Sequence, residues 1–168
     1  VGLGDRTKRD DIPLLDDHNQ SNVPGIWIAG ELSGFALINN AVDQGSRVME
    51  EIASVIDKNG SDDILDVLVV GAGPAGMSAG LVAGEKGLSC VVLDQQGAGG
   101  TILQYPRRKL VMVQPVEIPK IGKLPRLEYS KEELLEIWNK LHTEGGLDIR
   151  VGVRVTGVKG EIGAFEVE

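Results

Sequence analysis

The hydrophobic residues of this chain follow two patterns, short mainly apolar runs and runs with helical spacing. The short runs cover residues 26–29, 67–70 and 88–93, and such runs are typical of strands buried inside a parallel sheet. Apolar and small residues recur at helical spacing over residues 38–56, which predicts an amphipathic helix. Residues 147–155 alternate between apolar and polar, as a strand does. Together these patterns predict an α/β protein.

Three smaller signals refine these elements. Gly45 lies in the middle of the first helix, where glycine is unfavourable, and a close packing contact would explain it. Ser130-x-x-Glu133 has the spacing of a capping box and predicts the start of a second amphipathic helix. The glycine pair at 145–146 ends that helix. Residues 163–167 predict a further strand.

The stretch 66–80 carries the functional interpretation, because its strand runs directly into a glycine-rich turn. In a dinucleotide site with GxGxxG spacing, the first glycine, Gly71, allows the sharp exit from the strand. The second, Gly73, lets a pyrophosphate approach the backbone, and the third, Gly76, lets the helix pack on the strand. The helix N-terminus offers free N–H groups and a partial positive charge to the phosphates. The turn consists of Gly71, Ala72, Gly73, Pro74, Ala75 and Gly76.

The context of the turn favours a nucleotide ligand. The run 88–93 ends in Asp94, 18 positions after Gly76, and roughly 20 positions is the usual distance of the carboxylate that binds the ribose. A structural βαβ unit without a ligand is the alternative. The motif by itself does not separate NAD from FAD.

Composition narrows the class of partner. The 168 residues, 42% of them hydrophobic, suit one domain with a sizeable core. A net charge of −8 argues against nucleic acid or an anionic membrane as partner. No apolar run approaches the roughly 20 residues of a membrane span, and no signal peptide is visible. A cytoplasmic protein is therefore expected.

Sulfur and imidazole are scarce in this chain. Cys90 is the only cysteine, so no intrachain disulfide can form, and its position within a strand predicts a small core residue. His18 and His142 lie far apart and lack cysteine partners. No metal site is predicted.

Residues 23–31, with a following helix that contains Gln44-Gly45, carry a resemblance to a known family. They resemble the C-terminal flavin segment of the thioredoxin-reductase-like pyridine nucleotide-disulfide oxidoreductases. The resemblance implies that Glu31, after Gly30, stands where the family usually has the aspartate that holds a ribityl hydroxyl of FAD. An ordinary strand–helix pair is the alternative. The resemblance also implies that the backbone at the start of the next helix faces the flavin, at Ala36, Leu37 and Ile38.

The same family has a Gly-Gly pair beside the flavin, in the stretch that corresponds here to residues 95–101. Ile102 stands where the glutathione-reductase branch has its first redox cysteine, so the disulfide of that branch is absent. The loop from residue 100 to 128 resembles that of bacillithiol-disulfide-reductase-like flavoproteins, which implies that Tyr105 stacks near the isoalloxazine. A core or rim tyrosine is the alternative.

Two other segments receive weaker assignments. The resemblance implies that the strand end at Arg154 and Val155 supplies backbone contacts to the adenine. The basic residues 107–109 are interpreted as a solvated face, with contact to a phosphate or to an acidic electron-transfer partner as the alternative.

The order of the two flavin segments is reversed relative to the family. The resemblance covers residues 22–58 and 64–168, and the family's inserted NAD(P)H domain is not recognised between them. Either the polypeptide is permuted, or it is a piece of a longer protein with modules in tandem. We expect residues 1–168 to form a single FAD-binding domain, with the C-terminal-type segment in 1–58, a linker in 59–63 and the glycine-motif segment in 64–168.

The expected fold is a three-layer FAD/NAD(P)-binding Rossmann-like fold, with a central parallel sheet and a small antiparallel meander. In this fold residues 26–29 form a strand beside residues 68–70. The expectation that follows is geometric: the segment ending at Glu31 and the turn from Gly71 to Gly76 meet at one bound flavin nucleotide.

The favoured function is the FAD-binding domain of an NAD(P)H-dependent flavoprotein oxidoreductase, within a longer enzyme. An NAD(P)-binding Rossmann module and a non-catalytic docking domain are the alternatives. The expected partners are FAD and the NAD(P)H domain of the parent protein, with a homodimer left open. No residue is assigned a catalytic role. The residues predicted to bind the cofactor are Gly30, Glu31, Ala36, Leu37, Ile38, Gly71, Ala72, Gly73, Pro74, Ala75, Gly76, Asp94, Gln95, Gly99, Gly100, Thr101, Tyr105, Arg154 and Val155.

Overall fold

A computed structural model describes residues 13–30, 38–57, 63–112 and 115–168. In chain order the elements are helix α1 (Ile38–Val55), strand β1 (Val67–Val70), helix α2 (Pro74–Glu85), strand β2 (Cys90–Asp94), a 3-10 helix (Gly100–Gln104), strands β3 (Leu110–Met112), β4 (Glu117–Ile118), β5 (Gly122–Lys123) and β6 (Glu128–Ser130), helix α3 (Lys131–Glu144), and strands β7 (Asp148–Val151), β8 (Val158–Lys159) and β9 (Glu166–Val167).

A three-stranded parallel sheet in the order β1-β2-β7 forms the centre of the described fold. Val67 pairs with Cys90 on one side of β2, and Val92 pairs with Ile149 on the other. Because the strands are parallel, their carboxyl ends meet at one edge, where open α/β sheets bind ligands. The predicted α/β class with a parallel sheet and additional antiparallel strands is confirmed.

Helix α1 packs closely against helix α2, although the two are separated by the stretch that was predicted to be a linker. A Cβ atom added at Gly45 would lie only 2.1 Å from the carbonyl oxygen of Ala75. Beside this point the hydroxyls of Ser46 and Ser78 are 2.7 Å apart, and Ser78 donates to the carbonyl of Val42 at 2.9 Å. The close contact that Gly45 predicted is therefore present, and it joins the two flavin-type segments.

The expected strand at residues 26–29 is wrong. Trp27 forms only an isolated antiparallel bridge with Gln20, and the segment is half-buried. Its backbone bonds to the preceding turn instead of to β1: Ile28 N–H donates to the Asn19 carbonyl at 2.9 Å. The apolar side chains of Trp27 and Ala29 still pack against the core near β1. Hydrophobicity predicted the burial correctly but not the hydrogen-bond partner.

The strand predicted over residues 147–155 is shorter than expected. It is β7, which ends at Val151, and Gly152 then turns the chain with a φ of +77°. The antiparallel part consists of the separate pairs β3–β6, β4–β5 and β8–β9. The β8–β9 hairpin lies against the turn at Gly25, where an added Cβ would be 2.7 Å from the ring of Phe165.

Helix α3 follows its sequence signals closely. Ser130 accepts a hydrogen bond from the Glu133 amide while Glu133 accepts one from Ser130, so the capping box is confirmed. The helix is capped by Gly145, and Gly146 follows with a φ of +72°. Its inner side carries Trp138, which is 1% exposed. In the described ranges, no helix combines the length and the apolar character needed to cross a membrane.

Candidate functional site

The glycine turn begins where β1 ends. Gly71 has a φ of +105°, and its amide donates to the Leu93 carbonyl at 2.7 Å, which ties the turn to β2. A Cβ atom at Gly76 would lie 1.9 Å from the carbonyl oxygen of Gly71. Gly71 and Gly76 are therefore needed for the fold itself: the first adopts a left-handed conformation, and the second lets α2 approach the turn.

Gly73 is different, because the fold does not require its lack of a side chain. It is the residue before α2, with a φ of −73° and a ψ of −179°, which other residues adopt freely. An added Cβ would have no described atom within 4 Å. The amides of Ala75 and Gly76 belong to the first helical turn, where N–H groups have no intrahelical acceptor. This open backbone beside free donors is the arrangement that a pyrophosphate requires.

A second glycine-rich loop packs onto the first. The Gly99 amide donates to the Ala72 carbonyl at 2.8 Å, and Gly99 has a φ of +117°. A Cβ at Gly100 would lie 2.8 Å from Cα of Gly73. The Gly-Gly pair expected beside the ligand is thus brought directly against the glycine turn, and the 3-10 helix starts from it.

Asp94 organises the loops at the end of β2. One carboxylate oxygen, Oδ2, accepts the amide of Ala72 at 2.7 Å. The other, Oδ1, accepts the amides of Gln96 at 2.6 Å and Gly97 at 2.8 Å. A carboxylate oxygen has about two acceptor positions. Oδ1 is therefore filled, and Oδ2 keeps one position that a ribose hydroxyl could use.

These hydrogen bonds stabilise the charged form of Asp94. Partial burial works against ionisation, but the amides of Gly97, Ala72 and Gln96 outweigh it and lower the pKa of the carboxyl below its usual value. The stabilisation is therefore present above the pKa of an unfolded aspartate, about 3.9, and is lost as the pH falls through the lower pKa of the folded state.

We expect Asp94→Asn to lower the free energy of unfolding by about 1 kcal/mol at pH 7, since the partly exposed charged acceptor is lost. Urea unfolding of both proteins between pH 3 and pH 7 measures this difference. It should stay constant above about pH 4 and shrink below it, because wild-type Asp94 is then protonated as well. A difference that grows towards acid pH would contradict this account.

The segment before Glu31 does reach the glycine turn. A Cβ at Gly30 would lie 3.2 Å from Cβ of Ala75. The Gly30 amide donates to Oε1 of Gln44 at 2.9 Å, so α1 holds the end of this segment in place. Two stretches far apart in sequence therefore converge at the start of α2.

Several predicted site residues lie at the border of this convergence. Ile38 is the first residue of α1, and its half-buried side chain packs against the core. Of the other residues assigned to the flavin side, the following lie outside the described part of the chain: Glu31, Ala36 and Leu37.

A cleft of about 250 Å³ opens at the carboxyl ends of the parallel strands. Of the predicted residues, it collects Gly71, Asp94, Gln95, Gly100 and Val155. Its walls are apolar on one side and polar on the other, as suits a nucleoside. The sequence analysis missed four further lining residues, although the position of two of them directly before Gly71 and Asp94 was a usable signal: Val70, Leu93, Gln96 and Val153.

The remaining predicted residues lie around this cleft rather than lining it. Thr101 and Arg154 are exposed. Tyr105 is half-buried against the core, and the ammonium of Lys109 lies 4.2 Å from the centre of its ring. In the basic stretch, the Arg108 amide contacts the Glu132 carboxylate at 3.2 Å. A contact of Tyr105 with a flavin stays a prediction.

Cys90 is half-buried in β2, in agreement with its assignment to the core. Burial, and secondly the charge of Asp148, raise the pKa of its thiol to about 11. We therefore expect no measurable reaction of the native protein with a thiol-specific disulfide reagent at pH 8, since the thiolate is the reactive form. In denaturant the same assay should titrate one thiol. Rapid labelling of the folded protein would contradict the burial.

The chain is similar to known proteins in both sequence and structure. The model of the pyridine nucleotide-disulphide oxidoreductase family matches residues 68–168. The flavin-family relatives by sequence include a component of the alkyl hydroperoxide reductase of Pseudomonas putida, which is 31% identical over 126 residues. These residues cover 70% of this chain and 22% of that protein.

Two solved structures share the fold. Bacillithiol disulfide reductase from Staphylococcus aureus aligns with a TM-score of 0.55 at 17% identity and covers 60% of this chain and 32% of its own. A flavin-containing monooxygenase from Stenotrophomonas maltophilia aligns with a TM-score of 0.54 at 25% identity and covers 61% and 33%. The chain therefore spans about a fifth of the hydroperoxide reductase component and about a third of the solved chains.

Proposed function

The chain belongs to the pyridine nucleotide-disulphide oxidoreductase family, and from this premise we propose that it forms the FAD-binding domain of an NAD(P)H-dependent flavoprotein oxidoreductase of the thioredoxin-reductase-like type. The family assignment rests on residues 68–168. The choice of FAD over NAD(P) rests on the segment that ends at Gly30 and Glu31, which has a counterpart only in the flavin domains that it resembles.

One observation carries the proposal. Gly30 lies against Ala75, at the start of α2, and Gly100 lies against Gly73 in the same turn. A βαβ unit that served only as scaffold would need neither approach. Three segments that are distant in sequence thus surround one stretch of open backbone, as a long dinucleotide requires.

The described residues fit FAD in the following roles. Gly73 leaves room for the pyrophosphate, and the amides of Ala75 and Gly76 face the same side of the helix start. Oδ2 of Asp94 has one acceptor position left for a ribose hydroxyl. Val153 and Val155 supply an apolar wall of the cleft for the adenine. When bound, FAD would supply the hydride and electron transfer, and these residues would bind and orient it.

The rest of the enzyme is also part of the proposal. We place the NAD(P)H-binding domain in the parent protein, as in the family that the sequence resembles. The chain alone should then bind flavin but turn over NAD(P)H poorly. A cytoplasmic location and a homodimer stay expectations, and so does the assignment of the linker at 59–63.

The test is a visible spectrum of the purified chain, followed by titration with FAD, NADH and NADPH under the same conditions. A yellow protein that releases its flavin on heating, or a colourless one that takes up added FAD, supports the proposal. Tight binding of NADH or NADPH without FAD would favour the NAD(P) module instead. Binding of none of the three would leave the docking domain as the explanation.

A further inference from the structure

Lys131 occupies an unusual place for a lysine. It is the first residue of α3, at the end of the helix where the partial charge is positive and a cation is unfavourable. Its ammonium turns away from the helix and donates to two backbone carbonyls, that of Leu103 at 2.6 Å and that of Tyr105 at 2.5 Å. Both bonds are partly buried. The side chain therefore serves the other segment rather than its own helix.

The two carbonyls belong to the end of the 3-10 helix, where the last C=O groups lack partners within the helix. The backbone of Lys131 adds a second link, because its amide donates to the Lys109 carbonyl at 2.9 Å. Lys131 thus fixes the segment 103–109 at two points.

That segment leads directly to the glycine turn. The 3-10 helix begins at Gly100, whose Cα side faces Gly73 so closely that a Cβ would come within 2.8 Å. Gly99 bonds to Ala72 one residue earlier. A shift of the 3-10 helix would therefore move the wall of the open backbone at Gly73.

We propose that Lys131 is a positioning residue of the cofactor site, which holds the Gly99–Gly100 loop against the glycine turn through the 3-10 helix. This rests on the proposed function, since the loop is useful to a ligand only if that ligand lies at Gly73. Lys131 itself does not contact the proposed pyrophosphate path; its ammonium is committed to Leu103 and Tyr105.

Three variants of the full chain test this. Lys131→Met keeps the length of the side chain and removes the donors. Lys131→Arg retains two or more donors for the same carbonyls. Lys140→Met is the matched control, since Lys140 lies in the same helix and contacts the exposed Glu144, at 3.8 Å. The readouts are FAD affinity, from the flavin absorbance titration, and hydrogen exchange of the amides from residue 100 to 105.

For Lys131→Met we expect FAD affinity to fall about tenfold, because two charge-assisted bonds to the loop are lost. The amides of Ile102 and Tyr105, which bond within this turn, should exchange faster while α3 keeps its protection. Lys131→Arg should restore both values, and Lys140→Met should match the wild type.

Unchanged affinity or unchanged exchange in Lys131→Met, in a chain whose wild type binds FAD, would overturn the positioning role. So would an equal loss in Lys140→Met, or a failure of Lys131→Arg to recover affinity. A wild type that binds no FAD would instead overturn the proposed function, and this inference would fall with it. The two failures are therefore distinguishable.

Discussion

Gly73→Ala should leave the chain folded and weaken FAD binding about ten- to a hundredfold. The fold tolerates the methyl group because no described atom lies within 4 Å of it and the backbone angles suit alanine. Loss of glycine before the helix should cost less than about 1 kcal/mol of stability. The ligand cannot adapt in the same way, since a methyl placed where a phosphate meets the backbone costs about 1–3 kcal/mol, and about 1.4 kcal/mol corresponds to a factor of ten.

The measurement pairs flavin titration with thermal unfolding of Gly73→Ala and of a control, Gly84→Ala. Gly84 is exposed in the same helix, and the nearest atom to an added Cβ is Nζ of Lys120 at 3.7 Å. The control should bind FAD like the wild type. Gly76→Ala should behave in the opposite way to Gly73→Ala and lose stability first, because its Cβ would meet the Gly71 carbonyl at 1.9 Å. Undiminished FAD affinity in Gly73→Ala would show that no pyrophosphate approaches this turn.

The glycine turn was predictable because each of its features is local. The left-handed conformation of Gly71 and the tight approach of Gly76 both occur where the GxGxxG spacing requires them. Asp94 lies beside this turn, as its spacing predicted, and bonds to Ala72 within it. The use of its second oxygen for Gln96 and Gly97 was not predictable, because it depends on how the following loop folds.

Residues 26–29 show where hydrophobic pattern stops being informative. Four apolar residues after a Pro-Gly turn predict a buried strand, and burial is indeed partial. The backbone donors and acceptors, however, can be satisfied by any neighbouring chain. Here the neighbour is residues 19–21, which lead directly into the Pro24-Gly25 turn and form a local pair. A nearby partner reached at little cost in loop closure prevails over β1.

Lys131 was missed for a related reason. Its partners Leu103 and Tyr105 are 28 and 26 residues away in sequence. Nothing in a local pattern indicates such a contact, and the capping box that surrounds Lys131 directs attention to Ser130 and Glu133 instead. The one available signal was the position itself, a cation at the start of a helix.

Gly45→Ala should destabilise the chain by about 2–4 kcal/mol, although alanine is the better helix former. The helix propensity alone would favour alanine by up to about 1 kcal/mol. Against this, the new Cβ would lie 2.1 Å from the Ala75 carbonyl oxygen, so α1 and α2 must separate. Overpacking of this kind costs about 1–3 kcal/mol. The bonds of Ser78 to Ser46 and Val42 would weaken as well, at about 1 kcal/mol each.

Thermal unfolding gives the answer, since about 2–4 °C per kcal/mol applies to a chain of this size. Gly45→Ala should therefore unfold roughly 5–12 °C below the wild type. Gly84→Ala, the same substitution in the partner helix without a close neighbour, should raise the midpoint by a few degrees at most. An equal gain in both variants would mean that α1 does not pack on α2 at Ala75. Residues 13–57 and 63–168 would then lack the contact that brings Gly30 to the glycine turn, and the FAD site proposed between them would lose its support.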